Sequence, residues 1–118
     1  MKTYLGAVLT SVIFLSSTMA YSQDDVKKGQ EAYLTYGCAV CHGKDGRGDG
    51  LSAKTFDPPP TNFYDKKSYH YGSARGDVIY SIKHGAGHPG QGMPAFYHLT
   101  NKELEDIAAY VVSLQQAQ

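Results

Sequence analysis

Five consecutive residues constrain this chain more than any other stretch: Cys38-Ala39-Val40-Cys41-His42. Two thiols three positions apart, on the last turn of a helix, can each add to one vinyl group of a haem as a thioether. The imidazole next in line then sits where its Nε2 can coordinate the iron. The pattern is the attachment signature of c-type haem, with Cys38 and Cys41 as the cofactor-binding residues and His42 as the proximal iron ligand. Three other uses of two cysteines were weighed. A redox dithiol needs no following histidine and usually sits in a βαβ pattern, which the chain lacks. A zinc site asks for a second Cys/His pair, and the chain has only 2 cysteines. A plain disulfide leaves the adjacent His42 without a purpose.

The length of 118 residues allows one domain. Residues 1–20 read as a cleaved export signal: Lys2 gives a positive start, Leu5 to Leu15 is mostly apolar, and Thr18-Met19-Ala20 offers small residues at the cleavage point. Cleavage after Ala20 is the first choice and after Ser22 the second. The apolar run is too short for a spanning helix, which needs about 20 residues. Residues 21–118 then form the domain, with a covalently held macrocycle supplying much of the interior that so short a chain lacks. Export agrees with the pentapeptide, because c-type haem is attached outside the cytoplasm; a bacterial periplasmic protein is expected. The formal net charge is +0, which offers no basis for binding nucleic acid or an anionic membrane surface.

The chain reads as helix, loop, helix, loop, helix. Residues 24–36 carry Asp24 and Asp25 at the positive end of a helix dipole, an apolar stripe of Val26, Ala32, Tyr33 and Tyr36, and Gly37 as a stop. Gly29 costs such a helix about 1 kcal/mol relative to Ala, so it marks either a close packing contact or a tolerated defect. Residues 43–63 are loop, with glycines and three consecutive prolines. Their aspartates, Asp45, Asp49 and Asp57, lack the terminal Glu of a calcium loop and read as turn residues. Residues 73–84 form the second helix, with Ser73 as N-cap, Gly85 as stop and Val78, Ile79 and Ile82 on its apolar side. A Gly/Pro loop follows. The last helix opens on a Thr100/Glu103 capping box and carries Leu104, Ile107, Ala108, Val111 and Val112 at helical spacing.

A haem held by His42 has a second axial position. Met93, the distal iron candidate, stands before Pro94 among glycines, on a loop that could place a thioether over the metal. His70, His84, His88 and His98 compete for that role, and His88 and His98 flank Met93 closely.

Together, CAVCHG, GDGLSA, DPPPTNF, IKHG, GMPAF and LTNKELEDIAAYVVSL resemble a class I monohaem cytochrome c of the small bacterial kind, over nearly all of residues 24–115. The resemblance implies an all-α cytochrome c fold, three to four helices wrapped around one covalently attached haem c. It implies N- and C-terminal helices that cross near right angles, with Gly29 and Tyr33 meeting the last helix around Tyr110. It also implies thioethers at Cys38 and Cys41, with His42 proximal and Met93 distal. One departure stands out: relatives with a GDG turn often continue with Pro, whose carbonyl accepts the proximal histidine's Nδ1–H, and Leu51 occupies that place here. The Leu51 carbonyl remains available as acceptor, with one fixed φ angle fewer, and Pro58, Pro59 and Pro60 are the candidates for a compensating constraint. With no Trp in the chain, Tyr64, Tyr69 and Tyr71 are the candidates for contacts to the haem propionates.

The expected function is outer-sphere electron transfer: a soluble, exported cytochrome that shuttles single electrons between redox partners, donor and acceptor, through a His/Met-ligated haem. No catalytic constellation stands out, and no enzyme activity is expected. Lys44, Lys54, Lys66, Lys67 and Lys83 could ring an exposed edge and steer an acidic partner. Two alternatives remain: a haem protein that binds NO or CO at a labile sixth site, and a non-catalytic electron-transfer subunit of a larger oxidoreductase.

Overall fold

The computed structural model describes residues 2–3, 6–15, 21–88 and 90–117. Thr18, Met19 and Ala20, and with them the favoured cleavage point, lie outside the described residues. Residues 6–15 form no regular element and leave Val8, Leu9, Ile13, Phe14 and Leu15 exposed. Among the described residues, no helix is long and apolar enough to cross a membrane.

Four helices follow in order: α1 (Gln23–Thr35), α2 (Cys38–His42), α3 (Arg75–His84) and α4 (Asn101–Gln115). Single 3-10 turns at Ala53–Thr55 and Lys66–Ser68 interrupt the long connection between α2 and α3. The described residues contain no strand, only an isolated bridge between Ala86 and Met93. The expectation of an all-α fold holds. Gly37 ends the first helix as expected, and the Cys-x-x-Cys-His stretch follows it. It is a helix of its own, because Gly37 adopts a left-handed φ of 76° and turns the chain after Tyr36.

Each long helix starts where a side chain satisfies its free N–H groups. Ser22 Oγ accepts from the Asp25 N–H at 3.1 Å. Thr100 and Glu103 exchange side-chain and backbone bonds as a capping box. At α3 the cap differs from expectation. Ser73 lies outside the helix, and Asp77 Oδ2 reaches back to the Ala74 N–H at 3.2 Å.

α4 is the core. Of its expected stripe, Leu104, Ile107, Ala108 and Val111 are buried and Val112 is half-buried, while Asp106, Ala109 and Tyr110 beside it are buried too. That second buried face exists because α1 packs against it through Gly29. A Cβ at Gly29 would fall 1.8 Å from the Asp106 carbonyl oxygen and 2.9 Å from Tyr110 Cβ, distances that no side chain tolerates. Gly29 is thus a close-packing glycine, and Tyr33, one turn on, meets the Tyr110 ring edge to face at 5.2 Å. Lys102 closes the same seam from outside, pairing with Asp106 and, at 3.4 Å, with Asp25. Val78 and Ile82 of α3 complete the buried cluster with Phe63 and Leu99.

Candidate functional site

α2 is too short to stand without help, and the glycine-rich loop after it supplies that help. The last four carbonyls of a helix have no partner within it. Here each one is taken: Ala39 by the Gly43 N–H at 2.9 Å, Val40 by Ser52 at 3.0 Å, Cys41 by Gly50 at 3.0 Å and His42 by Gly48 at 2.7 Å. The alternation 48, 50, 52 explains the glycines. A Cβ at residue 50 would lie 2.2 Å from the Val40 oxygen, and Gly48 has a φ of 77°. From the core side, the buried Tyr33 hydroxyl donates to the Gly43 carbonyl at 2.6 Å. The pentapeptide is thereby fixed through the carbonyls of residues 39–43.

The proline-rich half of the loop folds back over α2. His42 Nδ1 lies 3.1 Å from the Thr61 carbonyl oxygen. A carbonyl can only accept, so Nδ1 carries the proton and Nε2 keeps its lone pair. Burial of His42, which is 8% exposed, lowers its pKa and favours the neutral ring that a metal ligand requires. The Phe63 ring lies nearly parallel to the imidazole, with centroids 4.7 Å apart and planes inclined by 23°. The acceptor is therefore Thr61, directly after Pro58-Pro59-Pro60, and not Leu51, whose side chain is 98% exposed. Three fixed φ angles set up this carbonyl where one proline was expected to. No spacing rule gives a backbone carbonyl 19 residues away, and Phe63 carried no signal beyond its place in the quoted DPPPTNF stretch.

A cavity of about 410 Å³ opens against these residues, within the range that takes small-molecule cofactors. Its walls include Cys38, Cys41, His42 and Met93 together, with Tyr33, Phe63, Val78, Ile82, Phe96, Ile107 and Val111 as apolar lining. Both thiols are free. Burial pushes the Cys38 thiol up to about 11, so it is neutral at physiological pH. The donor set and the apolar walls fit a flat macrocycle carrying one metal: two thiols, one neutral imidazole and one thioether line one space, with Asp57 as the carboxylate and no lysine, arginine or glutamate in its lining.

Met93 is held by its backbone. Its N–H donates to Ala86 at 2.8 Å, and its carbonyl accepts from Ala86 at 3.1 Å. Three residues on, the Phe96 N–H bonds to Ile82 at 2.9 Å, tying the segment to α3. Gly85 permits the approach, since a Cβ there would meet the Met93 oxygen at 2.6 Å. Of the competing histidines, His70 and His88 line the cavity beside Met93. His84 and His98 do not: the first packs tilted on Tyr80 and edge-on to Tyr97, the second edge-on to Tyr36 and tilted on Phe96.

Among the tyrosines, Tyr69 lines the cavity, but its hydroxyl is engaged, donating to the Phe63 carbonyl at 2.9 Å and accepting from Gln115 at 3.0 Å. Its burial raises the phenol to about 12. The Tyr64 ring lies under the Arg47 guanidinium at 4.4 Å, and Tyr71 packs edge-on against His70 and Tyr80 at the surface. Lys44, Lys54, Lys66, Lys67 and Lys83 are exposed and form no ion pair among the described residues, whereas Lys28, Arg75 and Lys102 do.

A family model described as cytochrome c matches residues 26–115. A search of curated proteins gives no match. Among solved structures, a chain of the reducing HAO-like protein complex of Kuenenia stuttgartiensis is similar, with 27% identity and a TM-score of 0.62. The match covers 75% of the present chain and 41% of that one, so this chain spans less than half the length of its structural relative.

Proposed function

The chain belongs to the cytochrome c family, and from that premise we propose that it is an exported carrier of single electrons, passing them between redox proteins through one His/Met-ligated haem. When bound, the haem c supplies an iron that takes up and releases one electron. The chain's own residues do the rest. Cys38 and Cys41 hold the macrocycle as thioethers. His42, its Nδ1–H committed to Thr61, offers Nε2 as the proximal ligand. Met93, on its hydrogen-bonded bridge, offers sulfur from the other side. Soft sulfur favours the reduced iron, and apolar walls disfavour the more highly charged oxidised form, so both raise the reduction potential. With both axial positions filled, little has to move when the electron does.

The observation that carries this reading is the single cavity whose lining includes both free thiols, the buried imidazole and Met93. Residues 1–20 would be removed on export, leaving residues 21–118 as a periplasmic domain. The exposed, unpaired lysines suit an acidic redox partner. The test is an absorption spectrum of both oxidation states with and without CO. A carrier shows a low-spin spectrum that CO leaves unchanged at once; rapid CO uptake by the reduced protein indicates a ligand-binding haem instead. A second reading, an electron-transfer subunit within a larger oxidoreductase, is favoured by the likeness to a chain of the HAO-like complex. Co-purification of a stable partner would separate it from the free carrier.

A further inference from the structure

The hydrogen bond from His42 to Thr61 acts in the plane of the imidazole and fixes which nitrogen faces away from the cavity wall. It does little to stop the ring tilting about that bond. The tilt is opposed by a contact along the ring normal, and the Phe63 ring lies there. We infer that Phe63 is a positioning residue that sets the plane of the His42 imidazole. The inference rests on the reading of His42 as the proximal ligand.

The geometry is that of two offset aromatic rings, 4.7 Å apart and 23° from parallel, a preferred arrangement for such pairs. An aliphatic side chain could fill the same volume without favouring any plane. The phenyl ring is itself held in place. The Tyr33 ring meets it edge-on at 6.2 Å and 71°, and Tyr69 flanks it at 6.0 Å. Gly46 closes the remaining side, since a Cβ there would fall 2.7 Å from Phe63 Cδ2. Its backbone is held on both sides, the N–H by the Gly46 carbonyl at 2.8 Å and the carbonyl by the Tyr69 hydroxyl at 2.9 Å. At 7% exposure it has no room to turn. The frame therefore passes its orientation to Phe63, and Phe63 passes it to His42. For an imidazole on iron, ring orientation decides which porphyrin orbitals receive the unpaired electron of the oxidised state, so outer contacts of this kind tune the metal.

The test is proton NMR of the oxidised, haem-loaded chain, where the order and spread of the four haem methyl resonances report the orientation of the two axial ligands, so that with Met93 unchanged a difference tracks the imidazole plane. Phe63→Leu is expected to change that order or spread. Phe63→Tyr, which keeps the stacked ring, is expected to retain the wild-type order. Leu104→Ala, a core truncation away from the cavity, should lower the melting temperature and leave the methyl pattern alone. A wild-type pattern in folded Phe63→Leu overturns the inference. If that variant fails to fold, the wild type decides: paramagnetic shifts of the His42 ring protons must give an imidazole plane close to parallel with the Phe63 ring, and an edge-on plane overturns the inference. Absence of such shifts on His42, with shifts on another residue in its place, overturns the ligand assignment itself and the inference with it.

Discussion

The Tyr33 hydroxyl, buried in the last turn of α1, donates a 2.6 Å hydrogen bond to the carbonyl of Gly43, the residue that ends the Cys-x-x-Cys-His helix. One bond thus joins the helix–helix core to the candidate site. Tyr33→Phe keeps the ring contacts to Tyr110 and Phe63 and removes this bond, leaving the Gly43 carbonyl with the Gly46 N–H at 3.2 Å as its donor, a loss of about 0.5–1.5 kcal/mol. Chemical denaturation of the haem-loaded protein should register it. An unchanged midpoint would mean that the bond adds nothing to stability.

Gly29→Ala offers a test by sign. Helix propensity alone makes the change favourable by about 1 kcal/mol. The Asp106 carbonyl, 1.8 Å from the new Cβ, makes it a clash with backbone, which cannot swing aside as a side chain can. Overpacking of this kind costs about 1–3 kcal/mol. Thermal melting should therefore show destabilisation. A higher melting temperature would mean that α1 and α4 separate at no cost.

Met93→Ala should abolish the weak far-red sulfur-to-iron charge-transfer band of the oxidised protein and lower its reduction potential. Retention of the band would remove Met93 from the iron. A spectrum of two nitrogen ligands in the wild type would point instead to His70 or His88, the histidines that share the cavity.

Replacing both Cys38 and Cys41 by Ser should let acidified organic solvent extract the haem, which in the wild type stays with the polypeptide. Haem that remains attached to the double variant would contradict thioether linkage. The free state of the two thiols in the fold is what leaves them available for attachment.

Acid stability should depend on Glu103. Its carboxylate accepts from the Tyr36 hydroxyl and from Thr100, through the N–H at 2.7 Å and the hydroxyl at 3.0 Å, and these bonds hold its pKa below the ordinary carboxylate range. The folded chain then binds this proton less readily than the unfolded chain. Stability is fully present above the ordinary value of 4.5 and is lost as pH falls through the folded one. Glu103→Gln should flatten that acid limb in melting curves taken across the range. An identical limb would assign acid sensitivity to other groups.

How much of this could be read from the residues alone follows from how local each signal is. The pentapeptide carries its chemistry in five adjacent positions, and the Thr100/Glu103 capping box spans four, so both were legible. The helix boundaries lie within two residues of the apolar patterns that suggested them. The Thr61 carbonyl was not legible, because every residue has a carbonyl and only the folded proline run aims this one. Gly29 was ambiguous for a related reason. Its purpose lies in Asp106 and Tyr110, far along the chain, and composition does not distinguish a contact glycine from a defect. The buried second face of α4 escaped the periodic pattern for the same cause, since it is α1's close approach that covers Asp106 and Ala109.

The paired backbone hydrogen bonds between Ala86 and Met93 have a consequence for how this loop can vary. They fix the two ends of this loop, Ala86 and Met93, to each other beside α3. Residues could be inserted, trimmed or exchanged at the tip while the sulfur's attachment point stays where it is. The half-buried Met93 thus keeps its place through its backbone, while Gly87, His88, Gln91 and Gly92, which line the same cavity, tie any change in the loop to the space it encloses.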